Sequence, residues 1–284
     1  MRIVKNYRNN DKLRESLNRL TEKTFGFNFE DWYKNGFWND KYIPYSIVED
    51  ESVVANVSVN IIDINDHGVL KYYIQLGTVM TDENYRNRGY IRTLINDIFK
   101  DYGEKADGFY LFANDEVLNF YPKFGFVAAK EYQYSKEVDV ISEKTVISMP
   151  MDNQKNWQKL IKAFKSNVFR GGFDMADNFD LMMFHITGYM QNSVYFDKQT
   201  ETYIIADVES ENVFIHAIIS PNPVSIDDVI NMFGGQVKTV TLGFTPADSL
   251  GWTVNEYFED DTTLFIRGFS LDDKIILFQT LSHA

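Results

Sequence analysis

Arg86, Arg88 and Gly89 fall within one short turn, Arg86-Asn87-Arg88-Gly89-Tyr90-Ile91. Guanidinium groups beside a glycine are the residue types that hold an anion, phosphate above all. An apolar run, residues 74–80, leads into the turn, and Ile91, Leu94, Ile95, Ile98 and Phe99 follow it at helical spacing. Strand, basic turn and helix in that order predict an anion cradle. The first N–H groups of a helix have no partner within it, the helix dipole favours negative charge at that end, and Gly89 lets the backbone come close to a ligand.

The chain around this turn is acidic, with a formal charge of −13 over 284 residues. Arginines there are a local choice that the average composition does not explain, and the charge argues against nucleic acid or an anionic membrane as partner. No cysteine is present, which excludes disulfides, thiolate catalysis and cysteine-held metals. The four histidines are scattered without ligand spacing, so no metal is implied. The N-terminus lacks an apolar signal core and no apolar run approaches the ~18 residues of a membrane helix; the expectation is a soluble, cytoplasmic protein. Aromatic residues reach 15%, which points to large cores and, less often, to an aromatic-lined pocket.

Several elements must position the turn. Asn10 or Asp11 can cap a first helix carrying Leu13, Leu17 and Leu20 on one face. Residues 44–50 and 52–64 read as a hairpin. Its second strand alternates: Val53, Ala55, Val57, Val59 and Ile61 on one side, Asn56, Ser58 and Asn60 on the other. That polar ladder suggests a face opening onto a cleft or a wet interface. His67, in the turn that follows, is a surface residue or a base near a cleft. Residues 109–113 form a buried-type strand after the central helix, and residues 127–134 read as the last strand of the first sheet.

The basic turn resembles the pyrophosphate loop of the GNAT superfamily of N-acetyltransferases, Arg/Gln-x-x-Gly-x-Gly/Ala, with Arg86 and Gly89 on fixed positions and Ile91 in place of the small residue. Asn114, with Tyr121 seven residues on in Phe120-Tyr121-Pro122-Lys123-Phe124-Gly125-Phe126, resembles the superfamily's second signature. The resemblance spans about residues 1–150 and implies a mixed α/β fold with helices flanking the sheet. It implies acetyl-CoA as cosubstrate and a primary amine, favoured as cationic by the acidic charge, as acceptor. On that basis Arg86, Asn87, Arg88, Gly89, Tyr90 and Ile91 hold the pyrophosphate, and the backbone of Val79, Met80 and Thr81 aligns the pantetheine and polarises the thioester. Asn114 holds the pantetheine arm and Tyr121 protonates the departing thiolate. A phenol suits that task because its pKa of ~10 keeps it protonated at neutral pH. Phe27, Trp32, Phe37 and Trp38 are candidates for the acceptor pocket or for a core seal, and Glu30 and Asp31 for attracting an amine. The chain's C-terminal carboxylate at Ala284 is a candidate to reach the site. The other reading is a GNAT-like module that binds acyl-CoA or another ligand without turnover.

Met149-Pro150-Met151 marks the expected boundary between an acetyl-CoA-binding domain, residues 1–150, and a second domain, residues 151–284. Asn153 can cap a helix, and residues 181–190 read equally as helix or strand. Residues 202–208 and 213–219 form a hairpin, followed by a turn, a short helix, and strands at 237–244 and 263–268. This order parallels residues 52–134, but the turn at 220–225 has two prolines and no arginine or glycine, which removes N–H donors. Residues 151–284 therefore read as a degenerate, smaller GNAT-like copy without a cofactor loop. A homodimer interface or a cover for the acceptor site is a role open to it.

Overall fold

The computed structural model describes residues 1–283. The chain begins with β1 (Arg2–Lys5), α1 (Asp11–Phe25) and α2 (Glu30–Lys34). Asn10 caps α1 by accepting from the Leu13 N–H at 3.2 Å, and Leu13, Leu17 and Leu20 are buried on one face. The strands β2 (Tyr42–Glu49), β3 (Ser52–Asp66) and β4 (Val69–Thr81) follow, then α3 (Tyr90–Tyr102), β5 (Gly108–Ala113), β6 (Val127–Ala128), β7 (Glu131–Glu137) and β8 (Ile147–Ser148). The later part contains α4 (Gln154–Lys165), β9 (Phe173–Met175), α5 (Phe179–Thr187), β10 (Val194–Asp197), β11 (Thr202–Glu209), β12 (Asn212–Ile219), α6 (Ile226–Met232), β13 (Thr239–Leu242), β14 (Thr253–Tyr257) and β15 (Thr263–Arg267). The ambiguous stretch at 181–190 is thus largely helix, and Asn178 caps it by accepting from the Leu181 N–H.

Two mixed sheets result. The first has eight strands in the order β1-β2-β3-β4-β5-β15-β6, with β9 paired to β3; the second has seven, β14-β7-β13-β12-β11-β10-β8. Each sheet contains an antiparallel hairpin (β3·β4, β11·β12), then a helix, then a strand parallel to the second arm of the hairpin. Beside that parallel strand each sheet takes an antiparallel strand from the other part of the chain. β15 lies against β5, and β7 lies against β13.

This exchange corrects two expectations. Residues 127–134 are not one strand of the first sheet: β6 stays there and β7 belongs to the second. Ala129 still donates to Leu264 O of β15 at 2.9 Å, whereas the Tyr132 N–H already goes to Ile276 O. Residues 263–268 belong to the first sheet, between β5 and β6, and not to the second. Both sheets bury a face, so the hydrophobic pattern names the buried side of each strand but not the sheet it joins. Strand pairing therefore crosses the expected boundary at 150 in both directions.

The core between the sheets is shared. Leu17, Trp32 and Ile62 pack in one buried cluster with Met183, Ile205 and Phe278. A second cluster lies on the other face of the first sheet, where Leu94, Ile95 and Ile98 of α3 cover Val57, Val59 and Leu111. A third, with Val229 and Ile230 of α6, covers the outer face of the second sheet. Among the described residues no helix is long and apolar enough to cross a membrane.

Candidate functional site

The basic turn sits at the end of β4. Asp82 starts it by accepting from the Asn84 N–H at 3.0 Å. Asn87 and Gly89 both take left-handed backbone conformations, φ 63° and 76°. Asparagine tolerates that region better than most residues and glycine adopts it freely. The first helical bond, from Thr93 N to Gly89 O, is 3.0 Å. Among the described residues, no acceptor is bonded to the backbone N–H groups of residues 87–92. These donors stand at the positive end of α3, where negative charge is favoured, and form a candidate anion cradle.

The side chains around the cradle differ in their availability. Arg86 is exposed and makes no ion pair with any described residue. Arg88 lies over the Tyr85 ring at 4.7 Å and donates to Asn84 O at 3.1 Å, with Glu49 4.0 Å away. Tyr90 is buried and its hydroxyl donates to Glu49. Ile91 is partly buried against the cluster under α3, so its size serves packing.

Beside the cradle the sheet opens. β4 and β5 pair only at Tyr73↔Gly108, Ile74↔Phe109 and Gln75↔Tyr110. Beyond these, β4 runs on to Thr81 and β5 to Ala113 without pairing to each other. Val79, Met80 and Thr81 therefore border a gap where, among the described residues, the facing edges of β4 and β5 pair with no strand. Val79 is partly exposed there, and Met80 is buried in the shared core.

Tyr121 stands on the α3 face of the sheet, with Phe126 and Phe265 around its ring at 6.1 and 5.9 Å. It is 5% exposed, no partner among the described residues is hydrogen-bonded to its hydroxyl, and burial pushes its pKa up to about 12. Asn114, at the end of β5, is already engaged: its amide donates to the Asp261 carboxylate at 2.8 Å. The same carboxylate accepts from the Asp115 N–H at 2.7 Å, which holds it below the usual carboxylate range.

Residues 8–129 match the family model of the acetyltransferase (GNAT) domain. Over these residues the chain is a GNAT acetyltransferase domain. No curated protein matches the sequence significantly. Among solved structures, a probable N-acyltransferase from Enterococcus faecalis superposes with a TM-score of 0.59 at 14% identity, covering 94% of this chain and 71% of that one. A GCN5-related N-acetyltransferase from Kribbella flavida gives 0.55 at 13% identity, covering 93% and 70%. Eis1 from Mycobacterium abscessus gives 0.52 at 11%, covering 88% and 69%. At these identities the likeness shows the fold, and it extends across both sheets.

On the other side of the GNAT domain's gap, Phe112 of β5 stacks on His283, ring centroids 3.7 Å apart. His185 of α5 is bonded to the His283 carbonyl at 2.9 Å and to the Tyr189 hydroxyl at 2.6 Å. The carbonyl can only accept, so His185 carries its proton on Nε2 and Tyr189 donates to Nδ1. Burial lowers the His185 pKa to about 4, which keeps the ring neutral. The last described residues thus end beside β5. Ala284, the expected source of a carboxylate, lies outside the described residues.

Several expected site residues stand elsewhere. Trp32, Phe37 and Trp38 are at most 6% exposed in the shared core, so they seal it. Their ring N–H groups confirm the fixed setting: Trp32 donates to Asp180 O and Trp38 to Tyr42 O. Phe27 is 38% exposed against Phe29 and Phe184. Glu30 is spent on Arg14 at 3.1 Å. His67 sits in the β3–β4 hairpin turn, at the opposite end of β4 from the cradle. Thirteen residues of strand at ~3.3 Å each separate the two by roughly 40 Å, which removes His67 as a base. The polar ladder of Asn56, Ser58 and Asn60 is buried at 1% exposure or less and does not open to water. Asp261 and Thr78 are the residues that sequence reasoning missed. The first arrives through the strand exchange, and the second stands out by a left-handed backbone angle.

Proposed function

We propose that the protein is an acetyl-CoA-dependent N-acetyltransferase that passes the acetyl group directly to a primary amine bound alongside. The observation that carries this reading is the row of unspent N–H groups at residues 87–92, set at the mouth of the β4–β5 gap. The residues present fit acetyl-CoA. Arg86 and the cradle supply charge and donors for a pyrophosphate, and the gap gives an extended polar arm two strand edges to bond. When bound, acetyl-CoA would supply the activated acetyl thioester.

The chain's own groups divide the remaining work. Arg86 and Arg88 would neutralise the pyrophosphate, and the Val79–Thr81 backbone would orient the thioester carbonyl. As the amine nitrogen bonds to the acetyl carbon, the carbon–sulfur bond breaks. Tyr121 would give its hydroxyl proton to the sulfur and recover one from solvent, while the amine's surplus proton leaves to water. The charge of −13 favours a cationic acceptor.

The engagement of Asn114 by Asp261 favours a second reading, a module that binds acyl-CoA without turnover. Calorimetry separates the readings. The parent is expected to bind acetyl-CoA, and Arg88→Ala or Gly89→Glu to weaken it about tenfold each, by loss of one charge or by a carboxylate placed at the cradle. Undiminished affinity in both variants would remove the cradle from the site. Binding without release of free coenzyme A to any amine would favour the module.

A further inference from the structure

Thr78 holds a conformation that its side chain disfavours. Its φ is 48°, and a β-branched residue at positive φ is an outlier that persists only when its surroundings impose it. The cause is a bulge. β3 and β4 pair at Asn56↔Met80 and next at Ser58↔Gly77, so Thr78 and Val79 together oppose Val57. Two contacts lock the strained residue: Asn56 Nδ2 donates to Thr78 O at 2.9 Å, and the Tyr42 hydroxyl meets Thr78 Oγ1 at 3.0 Å.

These contacts belong to a buried chain whose direction can be worked out, because each hydroxyl has one hydrogen. Asn56 Nδ2 donates to Ser58 Oγ at 2.9 Å. Ser58 donates onward to the Tyr42 oxygen at 2.8 Å, so Tyr42 must give its own hydrogen to Thr78. On the other side of Asn56, Ser46 donates to Oδ1 at 2.7 Å and receives from Tyr7 at 2.6 Å. Tyr7, Tyr42, Ser46, Asn56 and Ser58 are all buried, whereas Thr78 is partly exposed. Thr78 is therefore the open end of the chain: one lone pair is spent on Tyr42, and no partner among the described residues is bonded to its hydrogen or its other lone pair. It stands three positions past Gln75, the last β4 residue paired to β5. Its anchor Tyr42 packs in the core between the sheets, and Tyr121 packs under α3 on the opposite face.

We propose that Thr78 positions the acceptor amine. Its oxygen takes one amine N–H, which turns the nitrogen lone pair into the gap from the face opposite Tyr121. Thr78 neither gains nor loses a proton in this role. The buried chain behind it fixes the hydroxyl in place, which gives Asn56 and Ser58 of the polar ladder their work. The proposal rests on the transferase reading above.

The test measures coenzyme A release from acetyl-CoA with spermidine, tyramine and tobramycin as acceptors, alongside calorimetry of acetyl-CoA. Thr78→Val keeps the branched shape and removes the hydroxyl. It is expected to lower kcat/KM for the amine about 10- to 30-fold and to leave acetyl-CoA affinity within twofold. Thr78→Ser restores the hydroxyl and is expected to stay within about threefold of the parent. Tyr42→Phe frees the Thr78 hydroxyl to rotate and should give an intermediate loss, which keeps the proposal open to refutation if the valine variant does not fold. A merely structural role would lower acetyl-CoA affinity and the melting temperature together with transfer, and would overturn the proposal. So would amine kinetics in Thr78→Val equal to the parent's. A parent that binds acetyl-CoA but releases no coenzyme A with any of the three amines overturns the transferase reading and this assignment with it, a result distinct from a working parent with an indifferent Thr78→Val.

Discussion

Replacing Tyr121 with phenylalanine is expected to lower acetyl-transfer turnover about 100-fold and to leave acetyl-CoA affinity within about threefold. The substitution is unusually clean. The ring packs between Phe120, Phe126 and Phe265, which a phenylalanine ring would do equally well. No partner among the described residues is bonded to the hydroxyl, so its removal leaves no buried group unpaired, and melting temperature should be unchanged. A loss of rate is then a loss of the proton that the hydroxyl supplies. The pH profile gives a second check. Burial disfavours the phenolate and pushes the pKa up to about 12, so Tyr121 stays protonated through the whole range in which the protein can be assayed. Any alkaline fall in the parent's rate below about pH 10 must belong to another group, and Tyr121→Phe should retain it at the lower rate. A drop of less than about fivefold would reduce Tyr121 to a packing residue.

Legibility in the sequence followed the range of the interaction. The strand, turn and helix of the candidate cradle were readable because they lie between residues 74 and 99: an apolar run, a basic turn, a helical face. Tyr121 was a candidate through the residues that flank it. What could not be read were contacts made across the chain. The pattern of residues 127–134 shows a strand but not that β7 leaves for the second sheet, nor that β15 replaces it beside β5. Asn114 meets Asp261 only because β15 is there to deliver it. Trp32 and Trp38 are residue types that seal a core more often than they line a pocket, and the shared core supplies Phe184 and Asp180 from α5 as partners of Trp32. The ladder at Asn56, Ser58 and Asn60 carried a true signal, a polar face where an apolar one was expected. Its meaning depended on Tyr7, Tyr42 and a left-handed Thr78, none of which alternation reveals.

The strand exchange also carries a large pH effect on stability. Glu131 opens β7 where the chain passes from one sheet to the other; it is 6% exposed and accepts the Phe278 N–H at 2.8 Å. Burial, with Glu259 nearby adding like charge, pushes its carboxyl from 4.5 up to about 8 despite that bond. The sign follows from proton counts. Below the unfolded value of about 4.5 both states hold the proton and Glu131 contributes no pH dependence. Between 4.5 and 8 the unfolded chain has lost its proton and the folded one keeps it. Folding stability therefore falls with rising pH by about 1.4 kcal/mol per unit, up to ~5 kcal/mol at the top of the window. Glu131→Gln keeps an acceptor for Phe278 and cannot ionise. Urea unfolding of the two proteins is expected to give similar stabilities near pH 4.5 and a variant ~2–5 kcal/mol more stable near pH 8.5. Every other titrating group is common to both proteins, so their difference isolates this carboxyl. A difference that did not grow with pH would mean that Glu131 ionises in the folded protein near its ordinary value, and that water reaches the crossing between the sheets.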